Sequence, residues 1–329
     1  MKKWLNLMLI LVLALSIAAC GSVNNKEQEN NQNNELEQEN VTGAQQDDLK
    51  TQYPITVKDA TGQEFTFDKA PERIVSTSPS ETEILFAIGL DEEIVGVSDF
   101  DEYPEAAKEK PKMGGVVKPN EEAMMAANAD WIVTGVSMKE DVIEQMRGLG
   151  LNVFKFDSNH LEDVKNNILL VGQITDRQEE AMKVVEQMDQ EIQQVRDAVK
   201  DLTEEQKKKV YIEFSPGWTV GKGEFMDELL QIAGGINIAG DMEGWSQISE
   251  EKVIEDNPDV ILYAEGSMDE QGTTIKDIIL DRSGWEAIQA VQDGLIIGLN
   301  QDLLTRPGPR LTQGLIEMAK AIYPERFSE

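Results

Sequence analysis

One cysteine and one histidine occur in the whole 329-residue sequence. A single Cys forms no disulfide within the chain. Zinc sites and nucleophilic pairs built from Cys and His are excluded too, because the only Cys, Cys20, lies at the end of an N-terminal apolar run. No G-x-S-x-G occurs. The sole imidazole, His160, follows Asp157-Ser158-Asn159 just after a β run and reads as a helix-start residue. Gly221-Lys222-Gly223 and Gly234-Gly235 match neither a P-loop nor a dinucleotide fingerprint and read as turns. Basic residues are few: 30 Lys and Arg stand against 62 Asp and Glu, a net charge of −32. Nucleic acid and anionic membrane faces are therefore poor partners, because the phosphate attraction draws on Lys and Arg. Apolar residues are not scarce, at 40%, so most of the chain can bury a core.

The N-terminus reads as an export signal. Lys2 and Lys3 precede an apolar run from Trp4 to Ala19, about 16 residues against the roughly 20 that a membrane span needs. It closes on Ile17-Ala18-Ala19-Cys20-Gly21, which resembles the bacterial lipoprotein box. On that resemblance residues 1–19 are the signal peptide and Cys20 carries the lipid. More than one acyl chain on Cys20 would give stable anchoring. Residues 24–40 hold 15 Asn, Gln or Glu out of 17 and cannot bury enough apolar surface to order themselves. Residues 20–49 are thus expected to be a lipid anchor and tether. The reach of the tether suits the outer face of a Gram-positive cell membrane.

The remainder alternates strands and helices, which predicts an α/β fold with parallel sheets. Ile55–Lys58 and Phe65–Phe67 form a hairpin signal around Asp59-Ala60-Thr61-Gly62. Strands are expected near Arg73–Ser76, Ile94–Val97, Trp131–Thr134 and Asn152–Phe156, with a helix opened by Ser78-Pro79-Ser80 and running through Gly89, Ser80 as its N-cap. Residues 177–201 carry Ala181, Val184, Val185, Met188, Ile192, Val195 and Val199 at helical spacing, a helix of roughly 37 Å. The pattern then restarts with strands near Val210–Phe214, Val260–Tyr263 and Leu295–Leu299. The expected domains are an N-terminal lobe over 50–172, an interlobe helix over 173–205 and a C-terminal lobe over 206–329.

The two halves also repeat an element. Asn120-Glu121-Glu122 opens a helix that leads to Asn128-Ala129-Asp130 and a β run. Ser249-Glu250-Glu251 opens a second, leading to Asn257-Pro258-Asp259 and a β run, 129 residues later throughout. Each start combines an N-cap with acids in the first turn, where the helix dipole favours them. The repeat implies a pseudo-twofold pair of lobes, with Glu122 and Glu251 at equivalent exposed places.

Ligands of such sheets bind beyond the carboxyl ends of the strands, and pockets favour interfaces between lobes. Phe100, Phe214 and Trp218 follow expected strands, Trp245 lies in a loop, and Arg306 and Arg310 flank Pro307-Gly308-Pro309. Aromatic walls with two arginines suit a large, flat or anionic small molecule. A binding protein fits these residues better than an enzyme or an adhesin.

At this point the chain resembles the substrate-binding proteins of bacterial importers for iron–siderophores and cobalamin, the class with one long interlobe helix. Pro71–Ser76, Pro79–Glu83, Val95–Ser98 with Tyr103-Pro104, Ser249–Val253 through Asn257–Asp259, and Arg306–Arg310 carry the resemblance, which covers about residues 53–326. It implies two lobes around a cleft, a monomer, no cofactor or resident metal, and no catalysis. It also implies a permease and ATPase complex as partner, docked through Glu122 and Glu251. The cobalamin-binding branch is nearest. Phe100, Phe214 and Trp245 match its aromatic positions and Asp302 a polar one, whereas Val116 and Gly135 replace two further aromatics. The ligand expected is cobalamin, with a ferric siderophore as the alternative.

Overall fold

Alternating side chains start the ordered chain. β1 (Ile55–Lys58) and β2 (Glu64–Phe67) pair antiparallel, Ile55 opposite Phe67, and bury Phe65 and Phe67. Asp59 fixes the turn by accepting from the backbone N–H groups of Thr61 (2.9 Å) and Gln63 (3.1 Å). In this computed structural model residues 49–327 are described. The expected signal segment, Cys20 and the tether through residue 48 lie outside the described residues.

The first sheet consists of β3 (Ile74–Ser76), β4 (Ile94–Val97), β5 (Trp131–Thr134) and β6 (Val153–Lys155). All neighbours are parallel, in the order β4-β3-β5-β6. These short runs are apolar and largely buried on both faces, as a parallel sheet covered by helices requires. The covering helices are α1 (Pro79–Ala87), α2 (Glu121–Ala127), α3 (Glu140–Gly148) and α4 (Leu161–Thr175). α5 (Gln178–Val199) then leaves this lobe. The second sheet holds β7 (Lys209–Glu213), β9 (Ile236–Asn237), β11 (Val260–Glu265) and β12 (Ile296–Asn300), again parallel, in the order β12-β11-β7-β9. β8 (Trp218–Val220) and β10 (Trp245–Gln247) form a separate antiparallel ribbon. α6 (Phe225–Ile232), α7 (Glu250–Asp256), α8 (Ile275–Asp281), α9 (Gln301–Thr305) and α10 (Leu311–Ile322) complete the lobe.

The architecture is thus the expected α/β pair of parallel lobes. In each sheet the first strand, β3 or β7, has neighbours on both sides. The chain therefore reverses its winding beside β3 and beside β7, and a crevice opens there at the carboxyl ends of the strands.

Three expectations need correction. Ser80 does not cap α1: Ser78 precedes the helix, Pro79 takes the first turn, where its missing N–H is harmless, and Ser80 is buried inside it. The segment expected as one interlobe helix over 173–205 is divided. Residues 173–175 close α4, and Asp176 adopts a left-handed conformation (φ 58°) before α5 begins. Asp176 does there what Gly usually does, because a short polar side chain tolerates that region. The short helix α9 before Arg306 has no counterpart in the expected pattern.

α5 buries Ala181, Met188, Ile192 and Val195 along one face, against α4 and α10. Its contact with α4 is close. A Cβ built on Gly172 would lie 2.5 Å from the Ala181 methyl, so the crossing depends on a glycine at that position.

Candidate functional site

The repeated element exists in three dimensions. Asn120 Oδ1 accepts from Ala123 N at 3.1 Å, and Ser249 Oγ accepts from Lys252 N at 3.2 Å. Asn128 and Asn257 end the two helices with the same left-handed φ of 47°. Asp130 and Asp259 each accept from the backbone at the start of the neighbouring strand region, Arg73 N at 3.1 Å and Lys209 N at 2.7 Å. In both lobes the first acid of the pair is used internally: Glu121 accepts from Gln145 (2.6 Å), and Glu250 lies 3.4 Å from Arg282. The second acids, Glu122 and Glu251, are exposed, and neither forms an ion pair among the described residues.

A cavity of about 570 Å³ opens at the switch point of the first sheet. Four stretches of the first lobe line it. Ser78–Glu81 follow β3, Phe100 follows β4, Gly115–Lys118 form a further loop, and Val136 and Ser137 follow β5. Thr305, Arg306 and Pro307 of the second lobe complete the wall. The walls are mainly apolar, with Lys118 and Arg306 as the cations, a composition usual for small-molecule sites.

Arg306 and Arg310 do not stand free. Arg310 grips Glu83 of α1 with two N–H donors, at 2.8 and 2.6 Å, and its guanidinium lies 3.7 Å from the Tyr103 ring centroid. Arg306 lies 2.9 Å from Asp302 and 3.5 Å from Glu83. Glu83 is buried, and these charges join α1 of one lobe to the loop before α10 of the other. Gly308 permits the approach: a Cβ there would lie 3.3 Å from Ser80 O.

Phe100 is 58% exposed and lines the cavity. Phe214 and Trp245 meet edge to face at 5.0 Å, and the Phe225 ring lies 5.5 Å from the indole, tilted to it. Trp218 sits opposite Gln247 in the ribbon. The two tryptophans are each more than one-third exposed. Behind them Glu213, fully buried at the end of β7, holds Arg282 through two contacts of 2.6 Å and accepts from Gly217 N at 2.7 Å. The structure therefore brings Phe100, Arg306 and, through Arg306, Asp302 to one cavity. Phe214, Trp218 and Trp245 form a separate group in the second lobe, and Arg310 lines a neighbouring crevice of about 310 Å³ with Tyr103.

Sequence reasoning missed Glu81. It lies on α1, is 3% exposed and lines the cavity; its carboxyl is hydrogen-bonded by Ser78, while its buried Oε2 has no partner among the described residues. Burial pushes its carboxyl up to about 7, and nearby Asp101 and Glu83 add to the effect. Gly135 makes room for it: a Cβ there would lie 2.6 Å from Oε2. The available signal was its place directly after a strand at the switch point. Among the described residues no group of three or more His, Cys, Asp or Glu is placed to hold a metal ion.

Two parallel α/β lobes, a cavity at the strand ends walled by both, and one long connecting helix define a two-lobed solute-binding protein. Residues 74–303 match the periplasmic binding protein family, and the chain belongs to that family. It is 31% identical over 327 residues to an uncharacterized ABC transporter substrate-binding lipoprotein of Bacillus subtilis, covering 97% of each chain. It is 26% identical over 282 residues to a cobalamin-binding protein of Halobacterium salinarum, covering 84% of this chain and 76% of that one. The crystal structure of a possible iron-binding, periplasmic solute-binding protein from Staphylococcus epidermidis superposes with a TM-score of 0.67 at 30% identity. That match covers 78% of this chain and 100% of the other.

Proposed function

We propose that this chain captures a corrinoid such as cobalamin outside the cell and delivers it to the permease and ATPase complex of an ABC importer. Cys20 would carry the lipid that holds it at the membrane. The likeness to the Halobacterium cobalamin-binding protein carries the choice of ligand. An apolar cavity lined by exposed Phe100 supports it, as does the separate exposed aromatic group around Trp245 in the second lobe, because a flat macrocycle can stack on aromatic faces. Glu122 and Glu251 are the proposed docking residues. They are exposed and unpaired while their neighbours Glu121 and Glu250 are engaged. Binding needs no turnover.

A ferric siderophore is the second reading, favoured by the likeness to the Staphylococcus protein. Tryptophan-fluorescence titration of the full-length chain in detergent separates the two. Saturable 1:1 quenching by cyanocobalamin, with no saturation by a ferric trihydroxamate, is the expected result. The reverse pattern would move the ligand to the siderophore class.

A further inference from the structure

Three carboxyl groups converge beside the cavity: Glu83 is satisfied, whereas Asp101 Oδ1 and Glu81 Oε2 are each buried with no hydrogen-bond partner among the described residues. Glu83 faces Arg310 and Arg306 from the second lobe. Asp101, in the loop after β4, bonds Ser98 Oγ, and Lys112 lies close, donating at 3.1 Å to the Asp101 carbonyl. Glu81 has no cation bonded to it. The loop after β5 packs against it with Gly135 and contributes no charge, while Lys118 and Arg306 are the charged groups elsewhere in the lining. Burial outweighs the hydrogen bond from Ser78 and keeps the proton on this carboxyl, because ionisation would place a charge with no cation bonded to it beside two other acids.

We propose that the Glu81 carboxyl, in its protonated form, is a specificity-determining group that hydrogen-bonds a carboxamide of the ligand. A neutral carboxyl offers one O–H donor and one C=O acceptor side by side. A primary amide offers the complementary pair. An ionised carboxyl has only acceptors, so it loses the half of this match that reaches the amide oxygen. The proposal rests on the corrinoid reading, since a corrinoid rim carries several carboxamides. It adds that ligand capture weakens as the medium turns alkaline. The carboxyl's shift to about 7 places that change within a physiological range.

The test is the dissociation constant of cyanocobalamin for the full-length chain in detergent, measured from pH 6 to 8.5. Cyanocobalamin does not titrate in this interval. For the wild-type chain the constant should rise about tenfold or more across it. Glu81→Gln keeps a donor and an acceptor and should bind with a constant that changes less than about threefold with pH. Glu81→Leu should bind about tenfold or more weakly at pH 6, because the ligand amide then lacks its partner. Asp101→Asn controls for the neighbouring acid and should leave the pH dependence in place. A flat wild-type profile, or a Glu81→Gln profile as steep as the wild type, overturns the role of Glu81 alone. If the wild-type chain binds no cyanocobalamin at any pH, the corrinoid reading fails and the proposal falls with it.

Discussion

Glu81 and Glu213 show how differently two buried carboxyls can be handled. Glu213 receives Arg282, the Gly217 N–H and the Tyr211 hydroxyl at 3.2 Å. Glu81 receives no cation and holds its proton to about 7. Between its ordinary 4.5 and that value, the folded state binds more protons than the unfolded state. Stability contributed by this group is therefore present at acid pH, declines as pH rises through that window, and is flat above it. Glu81→Gln should be about 3 kcal/mol more stable than wild type at pH 8 and about equal near pH 4.5, by denaturant midpoint. Equal stabilities at pH 8 would contradict the buried, unpaired state. Arg282→Ala has the opposite character. It strands the Glu213 charge and should cost about 3–5 kcal/mol at pH 7 in the same assay. Phe100 and Arg306 were legible from their places after a strand and in a Pro-Gly-Pro loop. Glu81 was not, because a single acid in a helix reads as a solvated position until the fold covers both sides of that helix.

At the scale of elements, α1 and the loop before α10 are the joint between lobes. Arg310→Ala removes both donors from buried Glu83 and the stacking on Tyr103. A loss of about 3–5 kcal/mol is expected, measured by denaturant unfolding. An unchanged midpoint would show that water replaces the guanidinium freely. Gly172→Ala pushes a methyl into Ala181 and should cost about 1–3 kcal/mol by overpacking where α4 crosses α5. The strands and α5 were legible in the sequence, because apolar runs and a 3.6-residue stripe are local patterns. The break at Asp176 was not, because any polar residue can take that conformation once tertiary packing favours it. The ribbon of β8 and β10 was not legible either. Its two strands are three residues each and pair across an intervening helix.

For the whole molecule, the repeat at a spacing of 129 residues gave the two-lobe plan directly, since capping residues and chain turns recur together. The ligand was less legible, because stacking surfaces and core aromatics use the same residue types. Trp131 illustrates this: it is fully buried, packed edge-on against Phe67 and Phe154. Delivery is a property of both lobes together. Glu122→Ala with Glu251→Ala should abolish cobalamin uptake by cells while leaving cyanocobalamin affinity unchanged, because rim charges chiefly set steering and register. Uptake at the wild-type rate would remove these residues from the docking role. The most direct test of the central claim is calorimetric titration of the full-length chain with cyanocobalamin, comparing wild type with Phe100→Ala and with Trp245→Ala. A ligand held between the lobes predicts 1:1 binding and a loss of about 1–3 kcal/mol for each variant, one residue from each lobe. Undiminished binding by both variants, or no binding by the wild-type chain, would contradict it.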